Sequence, residues 1–229
     1  MSVAVAVESQ SQSRSQSRSQ SQLSLTEQAY RDLLDRLVTL QIPPGAPIND
    51  VHVAAELRVG RTPVREALKR LEAERLVVSY PRRGTFATEV QITDLGYLTE
   101  VRQRLEPLAA SMAARRASPV HKAALTDLLD ELDDADGADV DELIRLDMRV
   151  HRALYAATSN PFLEDTLVRY DNLATRIWCL FLDRLPGLAG HVGEHGPMVR
   201  AVLAGEEDQA AVLAAEHVTG FEAAIRALL

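Results

Sequence analysis

The sequence predicts a mainly α-helical chain in two folded parts: three helices closed by a β-hairpin, then an antiparallel bundle of six helices. Three observations carry this. Apolar residues recur at i, i+3 and i+4 through most of 25–229, and the two short β-type runs sit together at 77–80 and 85–88. Breakers cut the helical pattern at Ser118-Pro119, Gly137, Asn160-Pro161, Pro186-Gly187 and Gly205. Charge divides too: residues 1–90 hold 12 basic and 10 acidic side chains, a net +2, whereas 91–229 hold 13 and 23, a net −10. The boundary is expected near Val90 to Asp94, with folded parts over 24–90 and 93–229.

Composition excludes several classes. The chain is 46% hydrophobic and 25% charged, which is ordinary for a globular protein, and 4% aromatic, so Leu, Val and Ala must build the core. No run approaches the 18 apolar residues of a membrane helix, and apolar Met1–Val7 lacks the basic flank and cleavage pattern of a signal peptide. One cysteine, Cys179, rules out an intramolecular disulfide and points to a reducing cytoplasm.

The elements follow in order. Residues 8–22, ESQSQSRSQSRSQSQ, offer no apolar side chain to bury, so 1–23 are expected to be a disordered tail. From Leu25, the stripe Ala29, Leu33, Leu34, Leu37, Val38 and Leu40 predicts a helix that Pro43-Pro44-Gly45 stops. Asn49 or Asp50 caps a second helix through Leu57, and Arg58-Val59-Gly60 turns the chain. A third helix runs from about Thr62 to Arg75, with Pro63 in the first turn, where its missing N–H does no harm. Val77–Tyr80 and Thr85–Thr88 read as strands, joined by Pro81-Arg82-Arg83-Gly84. Helices are then expected near 93–116, 119–135, 139–158, 161–184, 188–204 and 206–228.

Three helices and a hairpin are the plan of a winged helix-turn-helix, whose third helix presents its N-terminal side chains to the major groove. Arg61 and Arg65 are four apart and point the same way; Val64, Leu68 and Leu71 form the opposite stripe. Arginine pairs bidentately with guanine or grips phosphate, Thr62 offers a hydroxyl, and Lys69 and Arg58 add charge. Arg82, Arg83 and Gly84 form the wing tip, positioned for a minor groove. Span 58–83 holds 8 basic and 3 acidic residues, so positive charge gathers where this plan needs it. A charge run is ordinarily just a solvated face. The complete pattern around this one favours DNA.

The run Arg61-Thr62-Pro63-Val64-Arg65-Glu66-Ala67-Leu68, with Arg82-Arg83-Gly84-Thr85-Phe86 after it, closely resembles the GntR family of bacterial regulators. The chain departs from that family's pattern at Gly60, where Ser or Thr is common, at Arg75, where Gly is usual, and at Val51, where a phosphate-contacting arginine is common. Arg58 replaces the usual turn glycine and supplies a substitute charge.

The second part carries an anomaly. On the stripe Val140, Leu143, Ile144, 147, Val150, 151, Leu154, two positions are Asp147 and His151. Buried ionisable groups are costly unless paired, and i, i+4 neighbours can hold one ion together. His195 falls on the stripe Leu188, Val192, Val199, Val202, and His217 on Ala210, Leu213, Phe221, Ala224. One such histidine is more often a hydrogen-bonded core residue. Three with an aspartate, all facing inward, favour a divalent transition metal, zinc or nickel before iron or manganese. His191 is a substitute ligand one turn before His195; His121 and His52 read as surface or first-turn residues. Arg102, also on an inward stripe, is either an anion partner or the ion-pair mate of Glu106, with Arg104 a weaker candidate.

Asp147-x3-His151 followed by His195 and His217 resembles the ligand set of the FCD domain in the FadR-type branch of GntR regulators, and six helices resemble its VanR-like subgroup. The resemblance implies a homodimer on a pseudo-palindromic double-stranded operator. It also implies a small carboxylate effector docking at the metal, and repression as the commoner outcome. Two other readings stay open. One is a constitutive DNA-binding protein with a structural metal or polar core. The other is a metal hydrolase, which H-E-x-x-H or a nucleophile elbow would have favoured. Neither motif occurs, so no enzyme activity is expected.

Overall fold

The structure, a computed structural model, describes residues 24–135, 137–184 and 187–229. The tail expected over 1–23, and Pro186, lie outside the described residues. The chain divides into two compact units, one holding Pro47–Phe86 with the chain up to Asp35, the other Arg36–Ala46 with Ala87–Leu229.

The first unit contains α1 (Leu25–Val38), β1 (Pro47–Ile48), α2 (Asp50–Glu56), α3 (Arg61–Ala73), β2 (Val77–Tyr80) and β3 (Gly84–Ala87). The predicted stripes are buried: Ala29, Leu33 and Leu34 on α1, and Val64, Leu68 and Leu71 on α3, where Ala67 is buried with them. Leu40 lies past the end of α1 with φ 58°, so the first helix is shorter than its apolar pattern. Asn49 caps α2, accepting from the N–H groups of Val51 and His52, which leaves the Asp50 carboxylate for other partners. β1 has no counterpart in the sequence reading. Its two residues pair antiparallel with β3, Pro47 opposite Phe86 and Ile48 opposite Thr85, giving the order β1-β3-β2. Two residues, the first of them Pro47, just after Pro43-Pro44-Gly45 show no alternation, so periodicity had nothing to find.

Arg75 follows α3 with φ 65°, a left-handed conformation that a side chain disfavours and glycine accepts. Arg75→Gly is therefore expected to stabilise the protein by about 1 kcal/mol. Urea unfolding of the full chain followed by circular dichroism measures this, and an unchanged or lowered midpoint would refute it.

The second unit is helical: α4 (Asp94–Arg116), α5 (Pro119–Asp133), α6 (Val140–Ala157), α7 (Pro161–Cys179), a 3-10 turn (Leu182–Arg184), α8 (Leu188–Gly193), α9 (His195–Ala204) and α10 (Glu207–Arg226). Caps explain the starts. Ser118 with His121, and Asp139 with Glu142, form reciprocal capping boxes on α5 and α6, and Asn160 caps α7 ahead of Pro161. His121 is thus a capping residue. Gly205, with φ 79°, ends α9. Residues 188–204, expected as one helix, form two. Pro197 has no N–H to donate to the Gly193 carbonyl, and Gly193 and Gly196 add little helical preference, so the helix breaks at Glu194. α10 packs along α4, α6 packs on α5 and α7, and the core between them is built from Leu, Val, Ala and Met with Trp178 and Phe221. No helix among the described residues is long and apolar enough to cross a membrane.

Candidate DNA-reading face and metal centre

On the first unit, Arg61, Thr62, Arg65 and Lys69 are exposed on one side of α3, while Val64 and Leu68 are buried on the other. Both arginines reach back to α2. Arg65 Nε lies 2.5 Å and Arg61 Nη2 3.3 Å from Asp50 Oδ2, and these contacts, Arg65 first, hold the Asp50 carboxyl below its ordinary range. Exposed pairs are worth no more than about 1 kcal/mol, so this one orients the two guanidiniums at little cost to releasing them. Arg58 is exposed in a left-handed turn, φ 54°, where the common glycine would relax. Arg82 and Arg83 are exposed between β2 and β3, with Arg82 (φ 62°) and Gly84 (φ 97°) turning the chain. Arg70 is engaged internally. It stacks on Tyr30, 3.5 Å from the ring centroid, and pairs with Glu27 at 3.0 Å.

In the second unit, α6, α9 and α10 bring Asp147, His151, His195 and His217 to one place. One ligand atom from each lies within 4.8 Å of all the others, and all four side chains are buried. His195 Nε2 is 2.8 Å from Asp147 Oδ1, and the His151, His195 and His217 ring centroids are 4.3–5.3 Å apart. Tetrahedral zinc, with bonds of about 2.0–2.2 Å, puts its ligand atoms about 3.3–3.6 Å apart. A contraction of up to about 1.5 Å in the widest pair would therefore close the set around an ion.

Charge gives an independent test of fit. Glu106, Asp147 and Asp171 are buried with one guanidinium, Arg102, all at 4% exposure or less. Arg102 Nε contacts Glu106 and its Nη2 is 3.5 Å from Asp171 Oδ1, whereas Asp147 pairs only with histidines among the described residues. With all three carboxyls ionised the formal surplus is two negative charges, which a divalent cation balances; with Asp171 holding its proton the surplus is one, carried by Asp147 among the histidines. Burial pushes the Asp171 carboxyl up to about 8 against the pull of Arg102, with Asp147 and Glu106 adding to the rise; its Oδ2 is buried without a partner. Burial lowers His151 and His217 far below the usual imidazole range and His191 to about 4, so these rings are neutral donors near pH 7. Burial opposes ionisation of Asp147 too, but His151 and the bond from His195 prevail and hold it to about 2. The residues fit a divalent metal ion.

Hydrogen bonds orient the rings. His151 Nδ1 is 3.0 Å from the Tyr155 hydroxyl, which itself bonds Glu106, so His151 Nε2 is left for the cluster. Beside the cluster is a cavity of about 10 Å³, room for one water-sized particle, lined by Arg102, Asp171, Thr175 and His191 among others. Arg102 is thus an ion-pair mate of Glu106 and of Asp171 and also faces the cavity; Arg104 is exposed. His191 belongs to a neighbouring group with Glu194 and His217 rather than to the first four.

Sequence reasoning missed Asp171 and Thr175. Both sit on the inner stripe Leu163, Leu167, 171, Ala174/175, Trp178 of α7, so the test that found Asp147 would have found them. It also missed Arg176, which is 2% exposed. Its Nη1 donates to Thr88 Oγ1 at 2.7 Å and its Nη2 to the Thr88 carbonyl at 2.8 Å, tying α7 to the residue that follows β3.

Comparison with known proteins gives the same division. The FCD domain pattern matches residues 97–220, and the pattern described as bacterial regulatory proteins, gntR family, matches 25–87. The chain belongs to the GntR family. Among relatives, this GntR protein is 36% identical over 130 residues to the Nta operon transcriptional regulator of Aminobacter aminovorans, a match covering 57% of this chain and 62% of that one. It is 30% identical over 142 residues to the HTH-type transcriptional regulator McbR of Escherichia coli (strain K12), covering 62% and 64%. The matches thus span less than two thirds of those relatives' lengths. The solved structure of E. coli McbR/YncC superposes with a TM-score of 0.77 over 90% of this chain and 99% of that one, at 24% identity, a likeness of fold. This GntR protein therefore joins a winged helix-turn-helix to an FCD-type helical bundle.

Proposed function

We propose that this chain is an effector-responsive, sequence-specific DNA-binding transcription regulator, acting in the cytoplasm as a homodimeric repressor on a pseudo-palindromic operator. Arg61 and Arg65 read bases, Thr62, Lys69 and Arg58 engage phosphates, and Arg82, Arg83 and Gly84 form the wing contact. Asp147, His151, His195 and His217 hold a divalent metal, zinc or nickel first. When bound, that metal supplies a Lewis-acidic point to which a small carboxylate can attach. The observation that carries the reading is the convergence of one buried aspartate and three buried histidines, with ligand atoms within 4.8 Å of one another, in a chain whose other half is a winged helix-turn-helix. Arg102 lines the cavity, and α7, which lines it through Asp171 and Thr175, is bonded to Thr88 after β3 through Arg176. A shift of α7 on effector binding would reach the wing by that route, and coupling of about 1–3 kcal/mol suffices.

The size of the cavity favours a second reading, a structural metal. With four protein ligands and about 10 Å³ beside them, an effector must open space for itself. A duplex selected from a random pool by the full chain separates the two. Small carboxylates titrated against that complex, with and without metal, should change its fluorescence-anisotropy affinity about 5–150-fold in the metal-loaded protein alone. No carboxylate effect at any metal occupancy would leave the structural metal standing.

A further inference from the structure

Glu194 stands at the break between α8 and α9, outside the four-residue cluster but touching one of its members. Its Oε2 lies 2.9 Å from His217 Nδ1 and 3.0 Å from His191 Nδ1. A carboxylate oxygen has lone pairs but no hydrogen to give, so His217, whose contact is a hydrogen bond, must bring its proton on Nδ1. A neutral imidazole has one N–H and one lone pair, so His217 is left with the lone pair on Nε2. The His191 ring stacks on it, centroids 4.1 Å apart and 17° from parallel. Both rings line the cavity beside Asp147 and His151.

We propose that Glu194 is a positioning residue for the metal centre, fixing His217 in the tautomer and ring orientation that aim Nε2 at Asp147, His151 and His195. This rests on the metal reading above. A freely rotating His217 would present either nitrogen, in either ring orientation, and ordering it would subtract from metal affinity. Acceptors of this kind, one bond behind a ligand, typically account for about 10–100-fold in affinity. The break in the helix matters to this role. Pro197 and the flanking glycines end α8 where Glu194 can face α10, instead of continuing a helix from Leu188 to Ala204. His191 contacts the same oxygen without joining the four ligands, so its removal leaves Glu194 serving His217 alone.

The test uses the full chain stripped of metal, with Zn²⁺ affinity read by competition against a chromophoric chelator and the melting temperature of the metal-free protein read alongside. Glu194→Ala is expected to weaken Zn²⁺ binding about 10–100-fold. Glu194→Gln, which keeps an oxygen acceptor and removes the charge, should recover most of that loss. His191→Ala should stay within about threefold of wild type, below the range for a lost orienting contact. The Glu194 side chain is 48% exposed, so the metal-free melting temperature should barely move in either Glu194 variant. Wild-type affinity in Glu194→Ala would overturn the proposal and leave the metal site standing. Equal losses in the Ala and Gln variants would also overturn it, by making Glu194 a distant charge. Absence of Zn²⁺ binding in the wild type would overturn the metal reading and this proposal with it.

Discussion

Replacing His195 with alanine should take the protein from about one divalent metal ion per protomer to almost none, by elemental analysis of protein purified without chelator. His195 is fully buried, and its Nε2 is hydrogen-bonded to Asp147 Oδ1 at 2.8 Å, which keeps the two donor atoms within reach of one ion. Alanine removes a donor that no other side chain replaces at that point, because His191 groups with Glu194 and His217 and not with Asp147 and His151. The loss should exceed the roughly 100-fold that an outer-shell change can cost. Stability should follow the metal. An ion at about 100 times its Kd adds about 2.7 kcal/mol to the folded state, so Zn²⁺ should raise the wild-type melting temperature and leave that of His195→Ala unchanged. His121→Ala, at a helix cap in the same unit, should keep full metal content. Equal metal in wild type and His195→Ala would mean the ion binds elsewhere. None in either would make the cluster a polar core.

The double variant Arg61→Ala, Arg65→Ala should lower affinity for the selected operator at least about 30-fold, since each bidentate base contact is worth about 1–3 kcal/mol. The two guanidiniums share Asp50 and so behave as one oriented pair, and a double-mutant cycle should show them coupled. Changing Arg82 or Arg83 should behave differently. Those exposed wing side chains should weaken all sequences alike and reduce the salt dependence by about one counterion each. Fluorescence anisotropy over a salt series separates the two behaviours. A double variant that binds its operator within a few-fold of wild type would remove α3 as the reading helix.

Much of this protein is legible in its sequence because its signals are local. A helix needs a stripe of period 3.6 and a start signal: α3 has Pro63 in its first turn and α6 has the Asp139 cap, and most of the residues they bury lie on the named stripes, although Val140 is exposed. The same periodicity picked Asp147, His151, His195 and His217, because a charged or polar side chain on an apolar stripe is anomalous wherever its partner lies. Where the local signal was weak or absent, the reading failed. β1 is two residues without alternation, defined only by its pairing to β3. The split of 188–204 lay in Pro197, which is tolerated in a first turn and costly in a helix interior, and periodicity did not say which it was.

Sequence by itself determined the element types, the faces they bury, the family and the identity of four convergent side chains, because each depends on residues within a few turns of one another. Tertiary structure decided what those side chains meet. It set Asp50 between Arg61 and Arg65, gave Arg102 to Glu106 and Asp171, and placed Glu194 behind His217. Partners such as Glu194 and His217 are 23 residues apart, one at the break between α8 and α9 and the other within α10. Their meeting depends on how helices cross and where one breaks, and side-chain periodicity fixes a face without fixing what packs against it.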